Sequence, residues 1–296
     1  MQSHSSSSTA TLIARSLVLA SHDKELSRLV PEGSAGALDK IFGRSWFFRS
    51  LKFRPIRWLA LKLENFTLPG IITHYLARKD FIEDAVGRSI KKGCRRVVVL
   101  GAGYDTLTWR LHRKHPEVSF VELDHPATQA RKKRRLKGGE NLRYLPLDLG
   151  ESLPSTCFSK DDENTVFVVE GLTMYLPGDR VRELLSDLAN LAGGDGEVIW
   201  TFMEKDEDGS IGFRGESSWV SRWLSWRSEP FLWGLRRDEL EEFANSCGMS
   251  VNRLADHELL RVEHLKKRGL RDRSLAEGEL ICSCGVRAKL SAWTDH

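Results

Sequence analysis

Two glycines and three acidic residues stand at points of this sequence where a small molecule could bind. Gly101, Ala102 and Gly103 form a turn at the end of the apolar run RVVVLG. The next three apolar runs along the chain each end in an acidic residue, and these residues are Asp124, Asp148 and Glu170. Glycine permits backbone conformations and close ligand approach that a Cβ would block. Carboxylates accept hydrogen bonds from hydroxyl and amino groups, so the spacing predicts a ligand that carries such groups.

Each acidic residue has a chemical role toward a nucleoside. A carboxylate at the end of the second strand, Asp124, can accept hydrogen bonds from both ribose hydroxyls. Asp148 can accept a hydrogen bond from an exocyclic adenine amine while the amide of Leu149 donates to a ring nitrogen. The backbone carbonyl or the side-chain carboxylate of Glu170 can accept hydrogen bonds from a positively charged amino group. The sequence therefore predicts a nucleoside ligand.

A glycine turn also occurs in dinucleotide sites, so a nicotinamide cofactor is an alternative. The dinucleotide fingerprint would place Gly or Ala where this chain has Thr106. Asp105 stands where a helix N-terminus would receive pyrophosphate, and its carboxylate would repel phosphate, although it can equally cap that helix. The Asp105 carboxylate would not repel S-adenosylmethionine, which carries a positive sulfonium and no phosphate. The charge pattern disfavours a dinucleotide without eliminating it.

The elements that must position these residues alternate between strand and helix. Predicted strands cover 96–101, 118–124, 142–149, 165–170 and 197–203, with two more near 250–256 and 279–288. Predicted helices cover 9–28, 71–92, 178–191 and 238–247. Such alternation is typical of an α/β fold with a mostly parallel sheet. In that fold ligands bind at the carboxyl ends of the strands, where the glycine turn and the acids lie.

We expect three segments along the chain. Residues 1–8 form a Ser-rich disordered tail, residues 9–92 a helical cap that contributes to the ligand site, and residues 93–296 the α/β core. The basic and aromatic stretch 37–63 is interpreted as helices packed on the core, with a membrane-surface face as the alternative. A helical lid insertion is expected at about 205–235, where tryptophans recur at helical spacing. The lid either packs on the domain or covers an apolar substrate.

The composition is that of an ordinary globular protein, with 41% hydrophobic and 29% charged residues. A net charge of +4 is too small to indicate a nucleic-acid partner. No apolar run approaches the roughly 18 residues of a membrane span. The five cysteines lack zinc-site spacing, which indicates no metal site and free thiols in a reducing cytoplasm. The first twenty residues lack a signal-peptide pattern, and their Ser-rich, acid-free composition leaves a transit peptide open.

Four motifs in order resemble the leucine carboxyl methyltransferase family. VVVLGAGYDTLTWRL at 97–111 is similar to the family's GAGxDTxxxRL signature. FVELDHPATQARKKRRL at 120–136 and VVEGLTMYLP at 168–177 match its next two motifs, and HYLARKDFIEDA precedes the first strand. The resemblance runs from about residue 9 to residue 191 and becomes loose in the C-terminal third.

The resemblance implies a Rossmann-like class I methyltransferase sheet, mostly parallel with an antiparallel last strand, and S-adenosylmethionine as the cofactor. Arg78 matches the family's arginine that pairs with the cofactor carboxylate, and Gly101 matches the glycine under the methionine moiety. Asp124, Asp148 and Glu170 match the ribose, adenine and amine contacts. These are the roles that the residue types themselves indicated.

The family's reaction implies what the acceptor side should look like. Its members methylate carboxylates, either the C-terminal leucine of a protein phosphatase or small molecules. A carboxylate is already ionised at neutral pH, so we expect no catalytic residue and catalysis by alignment and water exclusion. The expected acceptor is a carboxylate or hydroxyl of a small molecule. Tyr175, Arg214 and Arg222 are candidates to contact it, and Arg15 is a candidate for a second contact with the cofactor carboxylate.

Three alternatives stay open. An NAD-dependent oxidoreductase shares the sheet and the glycine turn. Methylation of a protein C-terminus or of RNA is the second, and the cationic run 131–135, otherwise a solvated helix face, is the only hint of RNA. A non-catalytic domain that keeps the fold for interaction is the third. The acceptor's identity and the oligomeric state are not predicted.

Overall fold

The computed structural model describes residues 8–43, 45–159, 163–214 and 230–286. Its strands are β1 (Arg96–Leu100), β2 (Ser119–Asp124), β3 (Leu142–Pro146), β4 (Thr165–Val169), β5 (Glu197–Glu204), β6 (Gly234–Leu235), β7 (Met249–Ala255) and β8 (Glu279–Val286). Its helices are α1 (Ser8–Ser21), α2 (Ser34–Phe42), α3 (Trp46–Ser50), α4 (Arg54–Thr67), α5 (Ile71–Lys91), α6 (Leu107–Leu111), α7 (Pro126–Arg135), α8 (Gly178–Leu191), α9 (Leu240–Ser246) and α10 (His257–Leu260).

One mixed sheet has the strand order β3-β2-β1-β4-β5-β8-β7, and β6 pairs with the far end of β5. The first five strands are parallel, as their continuous β-branched and apolar runs predict. The last strand, β8, runs antiparallel to both β5 and β7. This arrangement confirms the predicted α/β fold with a class I methyltransferase sheet. It also brings the carboxyl ends of β1, β2 and β4 to one edge.

Each face of the sheet carries its own hydrophobic core. On one face the N-terminal helices bury Leu76 and Phe81 of α5 against strand residues such as Phe120. On the other face α8 and α9 cover Trp200 and Phe202 of β5. Burying a large apolar side chain contributes about 1.5–3 kcal/mol. The two cores therefore fix the strand ends on which a site can be built.

The structure differs from the sequence prediction mainly at element ends and in the N-terminal segment. The predicted helix 9–28 ends at Ser21, and a short 3-10 turn covers Leu26–Arg28. Gly33 has a left-handed backbone (φ 82°) and stands directly before α2. The third strand ends at Pro146, three residues earlier than predicted, because proline lacks the N–H that a ladder needs.

The interpretation of residues 37–63 as core-packed helices holds for α2 and only in part for α4, whose Ala60 and Leu61 are half-buried and pack against the core. Ala37, Leu38 and Phe42 of α2 are buried, whereas α4 has no buried residue. Within the described residues, no helix combines the length and apolar character needed to cross a bilayer. The tail 1–7 and the central part of the expected lid, residues 215–229 with Trp219, Trp223 and Trp226, lie outside the described residues.

Candidate active site

The turn after β1 has the backbone geometry that its glycines predict. Gly101 and Gly103 both have positive φ angles, 61° and 48°, which other residues rarely adopt. The amide of Gly101 donates to the Leu123 carbonyl at 2.9 Å, and the Asp105 amide donates to the Ala102 carbonyl at 2.8 Å. A Cβ at Gly101 would meet the Leu172 side chain at 3.4 Å. The turn is therefore held against β2 and leaves its inner side to a ligand.

Asp124 lies beside this turn at the end of β2. Its carboxylate accepts hydrogen bonds from the backbone amides of Gly103 and His125. Burial raises the pKa of Asp124, and these two hydrogen bonds oppose the rise. Each carboxylate oxygen has a second lone pair. Asp124 therefore ties the glycine turn to β2 and keeps the capacity to accept further hydrogen bonds.

Asp148 and Leu149 lie in the loop after β3. The Asp148 carboxylate accepts the Gly150 amide at 3.0 Å, and His125 Nε2 lies 4.0 Å from it. The carbonyl of Leu149 accepts two hydrogen bonds from the Arg180 guanidinium, at 3.3 Å and 3.2 Å. These contacts hold the loop beside the end of β2.

A buried ion cluster joins α5 to the ends of β4 and β8. Arg78 Nη1 donates to both oxygens of Glu279, at 2.8 Å and 2.6 Å, and Arg78 Nε donates to Glu170 at 2.8 Å. His74 lies one helical turn before Arg78, and its Nε2 is 2.8 Å from Glu279. Burial opposes the charge of Arg78, but Glu279 and Glu170 raise its pKa above the ordinary value. Arg78 is therefore a fixed cation.

Lys79 extends this cluster toward the glycine turn. Its ammonium pairs with Asp105 and lies 3.1 Å from Glu170. Although burial raises the pKa of Asp105, the charges of Lys79 and Lys132 hold it below its usual range. Asp105 also accepts the Leu107 amide at the start of α6, at 2.5 Å. Asp105 thus caps the start of α6 and also belongs to the ion cluster.

Two cavities meet at this cluster. The first has a volume of about 670 Å³ and is bounded by the glycine turn and the ends of β2 and β4. The second, about 560 Å³, lies between α1, α4 and α5 and has mostly apolar walls that include Leu68, Met174 and Phe213. The residues that line both are Thr9, Ile13, Arg78, Gly171 and Tyr175. A molecule in each cavity would meet its neighbour at these shared residues.

Most of the predicted site residues line the first cavity. They are Arg78, Gly101, Ala102, Gly103, Asp124, Asp148, Leu149, Glu170 and Tyr175. Arg15 lines the second cavity instead of the first. Arg214 lines neither and binds Glu204 at 2.9 Å, half-exposed on the surface. Arg222 lies outside the described residues.

Sequence reasoning missed Lys79 and Glu279. Lys79 follows Arg78 directly in the sequence. Because Arg78 was predicted to pair with the cofactor carboxylate, a second cation beside it could have been recognised as a site residue. Glu279 is the first residue of β8 and pairs in register with Met203 near the end of β5. An antiparallel strand begins at the edge where the parallel strands end, so its first residue was a candidate. Lys79 lies within the motif HYLARKDFIEDA, whereas Glu279 lies in none of the four motifs.

Part of the cationic run 131–135, which was the only hint of RNA binding, makes contacts within the fold. Lys132 is buried, and its ammonium lies 2.6 Å from the Glu122 carboxylate. The Arg131 guanidinium lies 4.8 Å from the centre of the Phe42 ring. Lys133, Arg134 and Arg135 are exposed in the last turn of α7. The run is therefore in large part a structural and solvated helix face.

The carboxyl of Glu279 is expected to make stability depend on pH. Although burial raises its pKa, Arg78 and His74 lower it from the ordinary 4.5 to about 2. A lowered pKa in the folded state stabilises above the unfolded pKa, and the effect is lost as the pH falls through the folded pKa. The difference in unfolding free energy between wild type and Glu279→Gln should shrink by about 3 kcal/mol from neutral pH to acid. Urea titrations measure it, and a pH-independent difference would contradict the assignment.

The sequence matches a known protein family. A sequence model of the family described as "Leucine carboxyl methyltransferase" matches residues 15–189, more than half of the chain. The chain belongs to this family. It is 28% identical over 198 residues to "Putative S-adenosyl-L-methionine-dependent methyltransferase FRAAL3718" of Frankia alni, covering 59% of this chain and 65% of that protein. It is 23% identical over 184 residues to the protein named "Putative S-adenosyl-L-methionine-dependent methyltransferase YktD" of Bacillus subtilis, covering 60% of each.

Membership of the leucine carboxyl methyltransferase family does not favour the nicotinamide alternative. The match spans less than two thirds of the length of these two relatives. Among solved structures, the chain is similar to an O-methyltransferase family protein from Burkholderia thailandensis, at 17% identity and a TM-score of 0.46 over 71% of this chain and 56% of that one. It is also similar to the pyocyanin biosynthetic protein PhzM, at 16% identity and 0.47 over 92% and 72%. The fold assignment rests on the strand order itself.

Proposed function

We propose that this member of the leucine carboxyl methyltransferase family transfers a methyl group from S-adenosylmethionine to a carboxylate or hydroxyl oxygen of a small molecule. The observation that carries the proposal is the meeting of two cavities at Arg78, Gly171 and Tyr175. A group-transfer enzyme needs its two substrates in contact at one point and separated from water. The first cavity holds the cofactor and the second holds the acceptor.

The first cavity fits S-adenosylmethionine in size and charge. Its volume of about 670 Å³ lies within the range of small-molecule sites. Among the described residues, its charged lining comprises two cations, Arg78 and Lys79, and four carboxylates, which give it a net negative charge when all are ionised. A negative cavity suits a ligand with a sulfonium and an ammonium group. The same carboxylates oppose the pyrophosphate of a nicotinamide dinucleotide.

Different residues of the first cavity contact different parts of the cofactor. Asp124 accepts from the ribose hydroxyls, and Asp148 with the amide of Leu149 contacts the adenine. Glu170 accepts from the amino group, while Arg78 and Lys79 supply positive charge for the carboxylate. Gly101, Ala102 and Gly103 let the methionine part approach the backbone. When bound, S-adenosylmethionine supplies an electrophilic methyl group on a positively charged sulfur.

The acceptor side needs orientation more than proton transfer. A carboxylate acceptor is ionised at neutral pH, so no general base is required. Tyr175 lines both cavities, so it lies where the reacting oxygen and the methyl group meet. The apolar walls of the second cavity exclude water and hold an apolar acceptor with its oxygen toward Tyr175.

The test is methyl transfer from labelled S-adenosylmethionine to a panel of carboxylic acids and phenols. We expect an apolar acid or phenol to be labelled, with S-adenosylhomocysteine released in equal amount. Tyr175→Phe keeps the ring and removes its hydroxyl, so it tests the residue at the junction. Labelling of RNA or of a protein C-terminus, with no small molecule labelled, would contradict the proposed acceptor class. Thermal stabilisation by NADH without stabilisation by S-adenosylhomocysteine would contradict the cofactor.

A further inference from the structure

Helix α4 presents an apolar stripe that the described residues leave uncovered. Ile56, Leu59, Leu63 and Phe66 recur at helical spacing along one side of the helix, and Phe66 is 80% exposed. Trp58 beside them is 63% exposed. Large apolar side chains grouped on one face mark an interaction surface, whereas scattered ones do not. We name this stripe, together with Trp58, the α4 face.

The charge around the α4 face is strongly positive. Residues 45–67 contain one acidic residue, Glu64, and five basic ones: Arg49, Lys52, Arg54, Arg57 and Lys62. Of these, Lys52 pairs with Asp39 of α2 at 2.7 Å. Arg54 and Lys62 are exposed, and the Lys62 ammonium lies 5.9 Å from the centre of the Trp58 ring. A helix with tryptophan, phenylalanine and leucine on one face and lysine or arginine beside them is typical of helices that lie in a lipid interface.

We propose that the α4 face docks on an anionic lipid surface. Charge complementarity selects this partner, because anionic headgroups attract basic residues while the acyl region takes up the apolar stripe. A second copy of the chain is disfavoured, since a twofold contact through this face would bring its cations together. The apolar stripe alone fits either a lipid surface or a second copy of the chain. The basic residues beside it favour the anionic lipid surface.

The position of α4 connects this surface with the second cavity. Ala60, Leu63, Glu64 and Thr67 of α4 line the wall of that cavity. Leu63 belongs to both the α4 face and the cavity wall, so the cavity adjoins the docking surface. An apolar acceptor could then enter directly from the lipid. This consequence rests on the proposed function, whereas lipid docking itself does not.

The test is co-sedimentation of the full chain with vesicles, without cofactor or acceptor. The probes are vesicles of phosphatidylcholine alone and of phosphatidylcholine mixed equally with phosphatidylglycerol. We expect binding to the mixed vesicles that weakens with added salt. The triple variant Trp58→Ser, Leu59→Ser, Phe66→Ser should lower the partition coefficient about 100-fold because it removes the apolar contact. Arg54→Gln with Lys62→Gln should lower it at least about tenfold.

The matched control removes equal charge elsewhere. Lys133→Gln with Arg135→Gln changes two exposed cations of α7, a helix that contacts α2 and β3, and should leave vesicle binding unchanged. All three variants should keep the wild-type melting temperature, since the altered side chains are exposed. Equal loss of binding in the α7 control would overturn the proposal. So would a serine variant that binds as wild type does, or that melts earlier without losing binding, since the stripe would then pack within the chain.

Discussion

Replacing Asp124 with alanine should weaken S-adenosylhomocysteine binding at least about 100-fold. The carboxylate is proposed to accept hydrogen bonds from both ribose hydroxyls, and bonds to a charged acceptor each contribute about 1.5–3 kcal/mol. The change also removes the acceptor for the Gly103 and His125 amides, which loosens the glycine turn. Calorimetric titration of the purified variant measures the loss.

Two controls separate ligand contact from folding in this experiment. Asp124→Asn keeps the size and one carbonyl acceptor, so it should retain part of the affinity that alanine loses. Asp195→Ala removes an exposed carboxylate outside both cavities and should bind as wild type does. If Asp124→Ala bound S-adenosylhomocysteine with unchanged affinity, the assignment of the first cavity to the cofactor would be wrong.

Replacing Arg78 with methionine should lower the free energy of unfolding by about 3–5 kcal/mol. The substitution leaves the buried carboxylate of Glu279 and the partly buried carboxylate of Glu170 without the guanidinium that compensates them. Breaking a buried pair from one side costs far more than the pair itself contributes. Urea unfolding of wild type and variant measures the difference.

The double variant decides whether the ion cluster is the cause. Adding Glu279→Gln to Arg78→Met removes one of the stranded charges and should restore more than about 1 kcal/mol. Lys133→Met, an exposed cation on α7, should change stability by less than about 0.5 kcal/mol. Additive losses in the double variant would show that Arg78 and Glu279 do not interact.

The parallel strands could be predicted from the sequence because the pattern that forms them is local. β-branched runs predict buried parallel strands, and the carboxyl ends of such strands meet at one edge. Asp124, Asp148 and Glu170 could therefore be grouped from the sequence alone, although they are far apart in the chain. The glycine turn could be predicted because glycine readily adopts positive φ angles, and Gly101 and Gly103 both have them in the structure.

The remaining site features depend on tertiary contacts that no local pattern encodes. Glu279 is 201 residues from Arg78, and only the reversed direction of β8 brings the two together. Lys79 has the sequence environment of an ordinary helix cation, and only the packing of α5 against the glycine turn gives it its partners. The apolar spacing of α4 predicts an amphipathic helix but cannot say what covers its apolar side. Burial is decided by neighbours, and these lie elsewhere in the chain.

Calorimetric titration of the wild-type protein with S-adenosylhomocysteine is the decisive test of the cofactor assignment. We expect saturable binding of one molecule per chain, with no binding of NADH under the same conditions. Absence of any binding heat for S-adenosylhomocysteine and S-adenosylmethionine, with a folded protein confirmed by its melting transition, would contradict the assignment.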